Sequence, residues 1–158
     1  MARYNPPRML IHKLTSAECE DVLARTTLGR LGCARDNQPY IVPISFYYSV
    51  LDRCLYSFAT VGQKIEWMRD NPRVCVQVDD VLDRLNWSSV LIMGRYEEIA
   101  GHESMDGERQ RAYKLLQERP TWWLPGSAKL DDGTEHDVSV FYRVLIRDMT
   151  GRRAGAAR

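Results

Sequence analysis

No cysteine in this 158-residue chain lies within three residues of another. Cys19, Cys33, Cys54 and Cys75 therefore form no CxxC element, and neither a zinc knuckle nor a dithiol redox motif is expected. Histidine is scarce, with three in all. His12, His102 and His136 are far apart, so a metal site would have to assemble from distant segments. The carboxylates around His136 (Asp131, Asp132, Glu135 and Asp137) read as a solvated loop, and no metal is expected. Charge of one sign is lacking too: the formal net charge is +1. Acidic and basic residues are interspersed, so nothing suggests a nucleic-acid partner. No apolar run approaches the length needed to span a bilayer. The polar, proline-broken start Met1–Arg8 does not resemble a secretory signal. These absences lead us to expect a cytoplasmic protein whose thiols are reduced.

What is present is an ordinary globular composition, 44% hydrophobic and 27% charged. It suits one domain that buries its own core. The expected division is an irregular arm at 1–12, a single domain at 13–150 and a flexible basic tail at 151–158.

Thr15-Ser16-Ala17-Glu18 has capping-box form and predicts a helix to about Arg25. Ala17, Val22 and Leu23 are expected to face inward, and Gly29 to stop the helix. Strands are expected at 30–34, 40–48, 54–58, 74–78, 87–99 and 138–146. Asp36–Pro39 and Leu51–Arg53 carry turn chemistry. Pro43, without an N–H, belongs at an edge, a bulge or an opening in the ladder. Gly94 suggests a bulge, and Asp79–Leu85 reads as a polar loop. Helices are expected at 62–70 and 105–119. Trp122 and Trp123 lie in an irregular aromatic segment, where interface or core packing is their expected role. Six strands with outlying helices favour a mainly β fold: an antiparallel barrel, closed or partly closed.

The most informative stretch is Leu55–Val74. A strand, a Gly62-Gln63-Lys64 turn, a short helix and a second strand follow one another. Hydroxyls, a cation and free backbone N–H groups meet at the strand-to-helix junction, which can hold a phosphate. A Gly-x-Lys at a helix start is, on its own, more often a solvated turn.

These pieces occur in an order that resembles a known family. They are Arg30-Leu31-Gly32, Pro39–Phe46, Leu55-Tyr56-Ser57-Phe58, Gly62-Gln63-Lys64-Ile65, Asn71–Cys75, and Trp87-Ser88-Ser89-Val90 with Gly94. The chain resembles the pyridoxamine 5′-phosphate oxidase-like, FMN-binding split-barrel superfamily, in particular its nitroimidazole-resistance-like branch. The resemblance implies a six-stranded split β-barrel with flanking helices, forming a homodimer with FMN between the subunits. It implies a flavin-dependent oxidoreductase acting on a small organic molecule, with reduced nicotinamide or a deazaflavin as electron source.

Carried onto this chain, the implied cofactor-binding residues are Val42, Pro43, Ile44, Ser45, Ser57, Phe58, Thr60, Gly62, Gln63, Lys64, Ser88 and Ser89. Lys64, with Thr60, Ser57 and the Gly62 backbone, would hold the phosphate. Ser88, Ser89 and the backbone near Pro43 would bond the ring edge. Phe58 or a tryptophan would supply an apolar face. Two positions depart from the pattern. Phe58 replaces a histidine common in near relatives and cannot transfer a proton. Gln63 stands where many members carry arginine, and a neutral amide is weaker than a charged fork at a dianion. These departures keep alternatives open: a non-catalytic flavin- or haem-binding module, or a deazaflavin-dependent reductase on the same scaffold. No catalytic residue is nominated, because flavin carries the redox step itself.

Overall fold

The strands Gln38–Ser45 (β3) and Tyr47–Ser49 (β4) are separated only by Phe46, yet they stand at opposite ends of one antiparallel sheet. The sheet must therefore curl until its two edges approach each other at Phe46. The structure is a computed structural model that describes residues 9–100, 106–118 and 139–156. In chain order the other elements are β1 (Met9–Lys13), α1 (Ser16–Arg25), β2 (Leu28–Arg35), β5 (Cys54–Thr60) and α2 (Gln63–Asp70). They are followed by β6 (Arg73–Asp83), β7 (Asn86–Glu98), α3 (Gly107–Glu118) and β8 (Ser139–Ala156). The spatial order is β3-β2-β6-β7-β8-β5-β4, with β1 added beside β8. This curled, unclosed sheet with flanking helices is a split barrel.

Local chemistry explains the elements that the sequence predicts. The Thr15 hydroxyl accepts from the Glu18 N–H, and the Glu18 carboxylate accepts from the Thr15 N–H at 2.8 Å, which completes the capping box of α1. Asp36 and Asn37 adopt φ of 50° and 62°, the pair of positive values that a two-residue hairpin turn needs. Gly94 sits at a register shift between β7 and β8. A Cβ there would meet Val144 Cγ1 at 2.5 Å and the Leu145 carbonyl at 2.7 Å. Pro43 lies on the edge strand β3, where its missing N–H breaks no ladder on the open side.

Other expectations need correction. Among the described residues the sheet has eight strands, where six are expected. Phe46 interrupts the expected single strand at 40–48, because its fully buried ring anchors the crossing between the two sheet edges. Part of the expected arm is β1, and most of the expected tail is the end of β8. They pair with each other, Met9 opposite Ala156 and Lys13 opposite Arg152. β6 continues through the expected loop to Asp83, whose side chain accepts from the Leu85 and Asn86 N–H groups to turn the chain. α1 ends at Arg25 as expected, with Thr26 as its C-cap, but Gly29 belongs to β2 instead of stopping the helix. Ala17 is exposed, while Cys19, Val22 and Leu23 form the buried face of α1.

The main core fills the barrel with Leu31, Phe46, Leu55, Val76, Val90, Ile92, Tyr142 and their neighbours. A smaller cluster lies under α3, built from Cys54, Tyr56, Ala112, Leu116 and Phe141. Cys19, Cys33 and Cys54 are buried free thiols and Cys75 is half-buried. Among the described residues, no helix is long and apolar enough to cross a membrane.

Candidate functional site

β5 alternates between two interiors. Leu55 and Ala59 belong to the main core, whereas Cys54, Tyr56 and Phe58 belong to the cluster under α3. Ser57 points with Leu55 and Ala59. It is 1% exposed, and its hydroxyl donates to the Ser45 carbonyl at 2.6 Å. That bond links β5 to the end of β3 across the opening in the barrel. Phe58, next in sequence, packs on Tyr113 with centroids 4.9 Å apart and on Phe141 at 5.0 Å. Successive strand residues face opposite sides, so Ser57 and Phe58 do not share a surface.

Beyond Thr60 the chain bends through Val61 and Gly62 into α2. Gly62 is the N-cap, in extended conformation, and among the described residues no side chain caps the helix. The first intrahelical bond runs from the Glu66 N–H to the Gly62 carbonyl at 3.1 Å. The N–H groups of the opening turn therefore lack an intrahelical acceptor. Among the described residues a Cβ at Gly62 would touch nothing within 4 Å, so they leave space open beside the turn. Thr60 is half-buried and Gln63 is exposed.

Lys64 is half-buried in the second position of α2. Burial pulls its ammonium below the ordinary value, and the nearby Cys33 thiol of β2 works weakly the other way. Among the described residues Lys64 has no carboxylate partner. A cation at a helix N-terminus also opposes the helix dipole. Desolvation, the dipole and the uncapped N–H groups thus all favour an anion at this position. The remainder of α2 lies over the β2–β3 hairpin. Trp67 packs on Tyr40 with centroids 5.5 Å apart, Arg35 stacks over Trp67 at 5.0 Å, and the Asn71 amide donates to the Ala34 carbonyl at 3.0 Å. α2 therefore bridges from the end of β5 to the edge hairpin and roofs the opening of the barrel.

The predicted residues of β3 divide by face. Val42 packs against the core and Ile44 is buried within it, while Pro43 is exposed. Ser45 is half-buried and contributes its carbonyl to Ser57. Ser88 and Ser89 are not gathered with this group. They lie on β7, three ladder steps from β3, roughly 14 Å at ordinary strand spacing. Along β8, Ser88 stands opposite Arg153 whereas Ser57 stands opposite Tyr142. Both hydroxyls already accept hydrogen bonds, Ser88 from the Arg153 guanidinium at 3.3 Å and Ser89 from the Gln77 amide at 3.0 Å. Trp122, Trp123, His102, His136 and the carboxylates at 131–137 lie outside the described residues.

Three features escape the sequence reading. Tyr142 is fully buried opposite Ser57, and among the described residues its hydroxyl makes no hydrogen bond. Burial pushes that hydroxyl up to about 12, and the neighbouring Ser57 hydroxyl works against the shift. Cys33 is a buried thiol close to Lys64. Finally, Ile41, Gly32, Cys75 and Met93 form one register row across β3, β2, β6 and β7. Ile41 is 66% exposed and Met93 50%. The row borders an apolar hollow of about 560 Å³ on the outer face of the sheet. The exposed apolar positions at 41 and 93 were the available signal for that surface.

This architecture is shared with known proteins. The family model described as pyridoxamine 5′-phosphate oxidase matches residues 15–153. An uncharacterized protein of Rhizobium meliloti (strain 1021) is 39% identical over 153 residues, 94% of this chain and 98% of the relative. A crystal structure of a FAD-binding protein from Mesorhizobium loti is 40% identical, with a TM-score of 0.78 over 94% of this chain and 99% of that one. A structure described as a 5-nitroimidazole antibiotic resistance protein of Bacteroides thetaiotaomicron shares the fold, with a TM-score of 0.64 at 19% identity, over 99% of this chain and 98% of that one. The family model runs from the cap of α1 to Arg153, near the end of β8, and the chain belongs to the pyridoxamine 5′-phosphate oxidase family.

Proposed function

We propose that this protein binds a flavin nucleotide at the β5–α2 turn and uses it as a cytoplasmic oxidoreductase on a small organic molecule. The observation that carries this reading is Lys64. It is a partly desolvated cation without a carboxylate partner, beside uncapped helix N–H groups and open space at Gly62. A nucleotide phosphate answers all three conditions. Lys64 would neutralise it, the N–H groups of Gln63 and Lys64 would hydrogen-bond it, and Thr60 would offer a hydroxyl. Bound flavin would supply the hydride or electron transfer, and the protein would contribute orientation and electrostatics.

FMN is our first choice, because the turn suits one compact phosphate and Gln63 provides no second cation. FAD is the second reading, favoured by the FAD-binding protein from Mesorhizobium loti at 40% identity. We further propose a homodimer. The apolar outer row at Ile41 and Met93 is the surface a second copy would cover, and the partner would present Ser88 and Ser89 to the ring edge. Chromatography of the flavin released by heat from the purified protein separates the two cofactors. Bleaching of that flavin by reduced nicotinamide, followed by recovery with an acceptor, tests the oxidoreductase assignment. A bound flavin that no donor reduces would leave a binding module in its place.

A further inference from the structure

We infer that Ser57 is a positioning residue: its hydroxyl latches the edge strand β3 to β5 and so sets the opening that the Lys64 turn faces. Among the described residues β3 pairs with β2 on one side only, and on its other side the sheet is not closed. Pro43 contributes no N–H to that open side. At the end of β3 the chain crosses to the opposite edge of the sheet within a single residue, Phe46, whose N–H donates to the Thr27 carbonyl at 3.0 Å. What fixes this crossing from the β5 side is the bond from the Ser57 hydroxyl to the Ser45 carbonyl. The bond is part-buried, and a carbonyl partly withdrawn from water that loses its donor bears part of the desolvation cost of the group.

Tyr142 marks the position as unusual. Its hydroxyl is buried on the neighbouring strand directly opposite Ser57, unpartnered among the described residues. The Ser57 proton goes across the barrel opening to the Ser45 carbonyl at 2.6 Å, with the carbonyl of Phe58 a distant second acceptor at 3.4 Å. A serine kept only to satisfy the core would serve its ladder neighbour. This one serves a strand that is not its neighbour. Because β3 and the β5–α2 turn border the same opening, the latch sets where the edge strand stands relative to the phosphate position. In this respect the inference rests on the proposed flavin site. The latch itself is independent of any ligand.

The test uses the full chain in three forms: wild type, Ser57→Ala and Ser57→Thr. Amide hydrogen exchange on the flavin-free protein reads the latch directly. In Ser57→Ala, peptides covering β3 and Phe46 should exchange about fivefold faster, while those of β7 and the paired part of β8 stay unchanged. Ser57→Thr keeps the hydroxyl and should restore the wild-type rates. Tyr142→Phe leaves the Ser57–Ser45 bond in place and should leave β3 unaffected. Unchanged β3 exchange in Ser57→Ala, acceleration spread evenly over the sheet, or identical behaviour of the Ala and Thr variants would each overturn the latch. Titration with FMN then shows whether the latch serves the site: Ser57→Ala should raise Kd about tenfold, the effect of one lost hydrogen bond. If the wild type binds neither FMN nor FAD, the proposed function fails, while the exchange data still decide the latch.

Discussion

Ser57 and Phe58 are consecutive on β5 and face opposite interiors, Ser57 toward the opening of the barrel and Phe58 toward the aromatic cluster under α3. The serine therefore serves the split and the phenylalanine serves the docking of α3. Phe58→Ala should reduce the stability of the flavin-free protein by about 3 kcal/mol, as expected for loss of a packed aromatic ring. The same change should alter flavin affinity of the folded protein less than about threefold. Urea unfolding and a flavin titration on the one variant check both halves.

Lys64 should show the opposite profile. Burial lowers its ammonium from the ordinary 10.5, so the unfolded chain holds the proton more tightly than the folded one. Stability of the flavin-free protein should therefore rise as pH climbs through the lowered value toward 10.5. Lys64→Met should remove that rise and leave the flavin-free protein as stable as wild type or more so, by up to about 1 kcal/mol at neutral pH. Urea midpoints between neutral pH and the lysine range measure the slope in each protein.

The acid side depends on Glu98. Its carboxyl is held below the ordinary 4.5 first by the hydrogen bond from Arg69, at 2.6 Å, and then by that from the Tyr96 hydroxyl. A carboxylate with a lowered folded value stabilises above its unfolded value, and that contribution is lost as pH falls through the folded one. Glu98→Gln should flatten this part of the acid limb below 4.5. The pair is partly solvated, so the difference should stay under about 1 kcal/mol. Stability of the two proteins measured across that window is the check.

Gly94 is fixed by space. A methyl group would press on Val144 and on the Leu145 carbonyl, a backbone atom that cannot swing aside. Gly94→Ala should cost about 2 kcal/mol or more, by forcing β7 and β8 apart at their bulge. Thermal unfolding of the variant would show it, and an unchanged midpoint would mean that the strands separate without cost.

Much of this fold can be read from local chemistry. The Thr15–Glu18 capping box, the Asp36-Asn37 turn, the Gly94 bulge and the start of α2 at Gly62 each follow from a residue type with one dominant conformational use. Pairings that depend on distant partners cannot be read this way. β1 and the end of β8 look irregular alone, and they become strands because each supplies the other's ladder. The break at Phe46 has no local signal, since its cause is the approach of the two sheet edges. At the site, the Lys64 turn was legible because glycine, cation and helix start are contiguous. That Ser57 and Phe58 face opposite interiors follows from the two-residue period of a strand, a rule the sequence already contains. The engagement of Ser88 with Arg153 and of Ser89 with Gln77 needed the register of three strands.

The central claim is that the Lys64 turn holds the phosphate of a flavin nucleotide. Equilibrium titration of the flavin-free protein with FMN and FAD, for wild type and Lys64→Met in parallel, tests it most directly. The wild type should bind flavin saturably, and Lys64→Met should show a Kd at least about tenfold higher, the loss of one charge-assisted contact. A folded wild-type protein that binds neither flavin, or equal affinity in the two proteins, would contradict it.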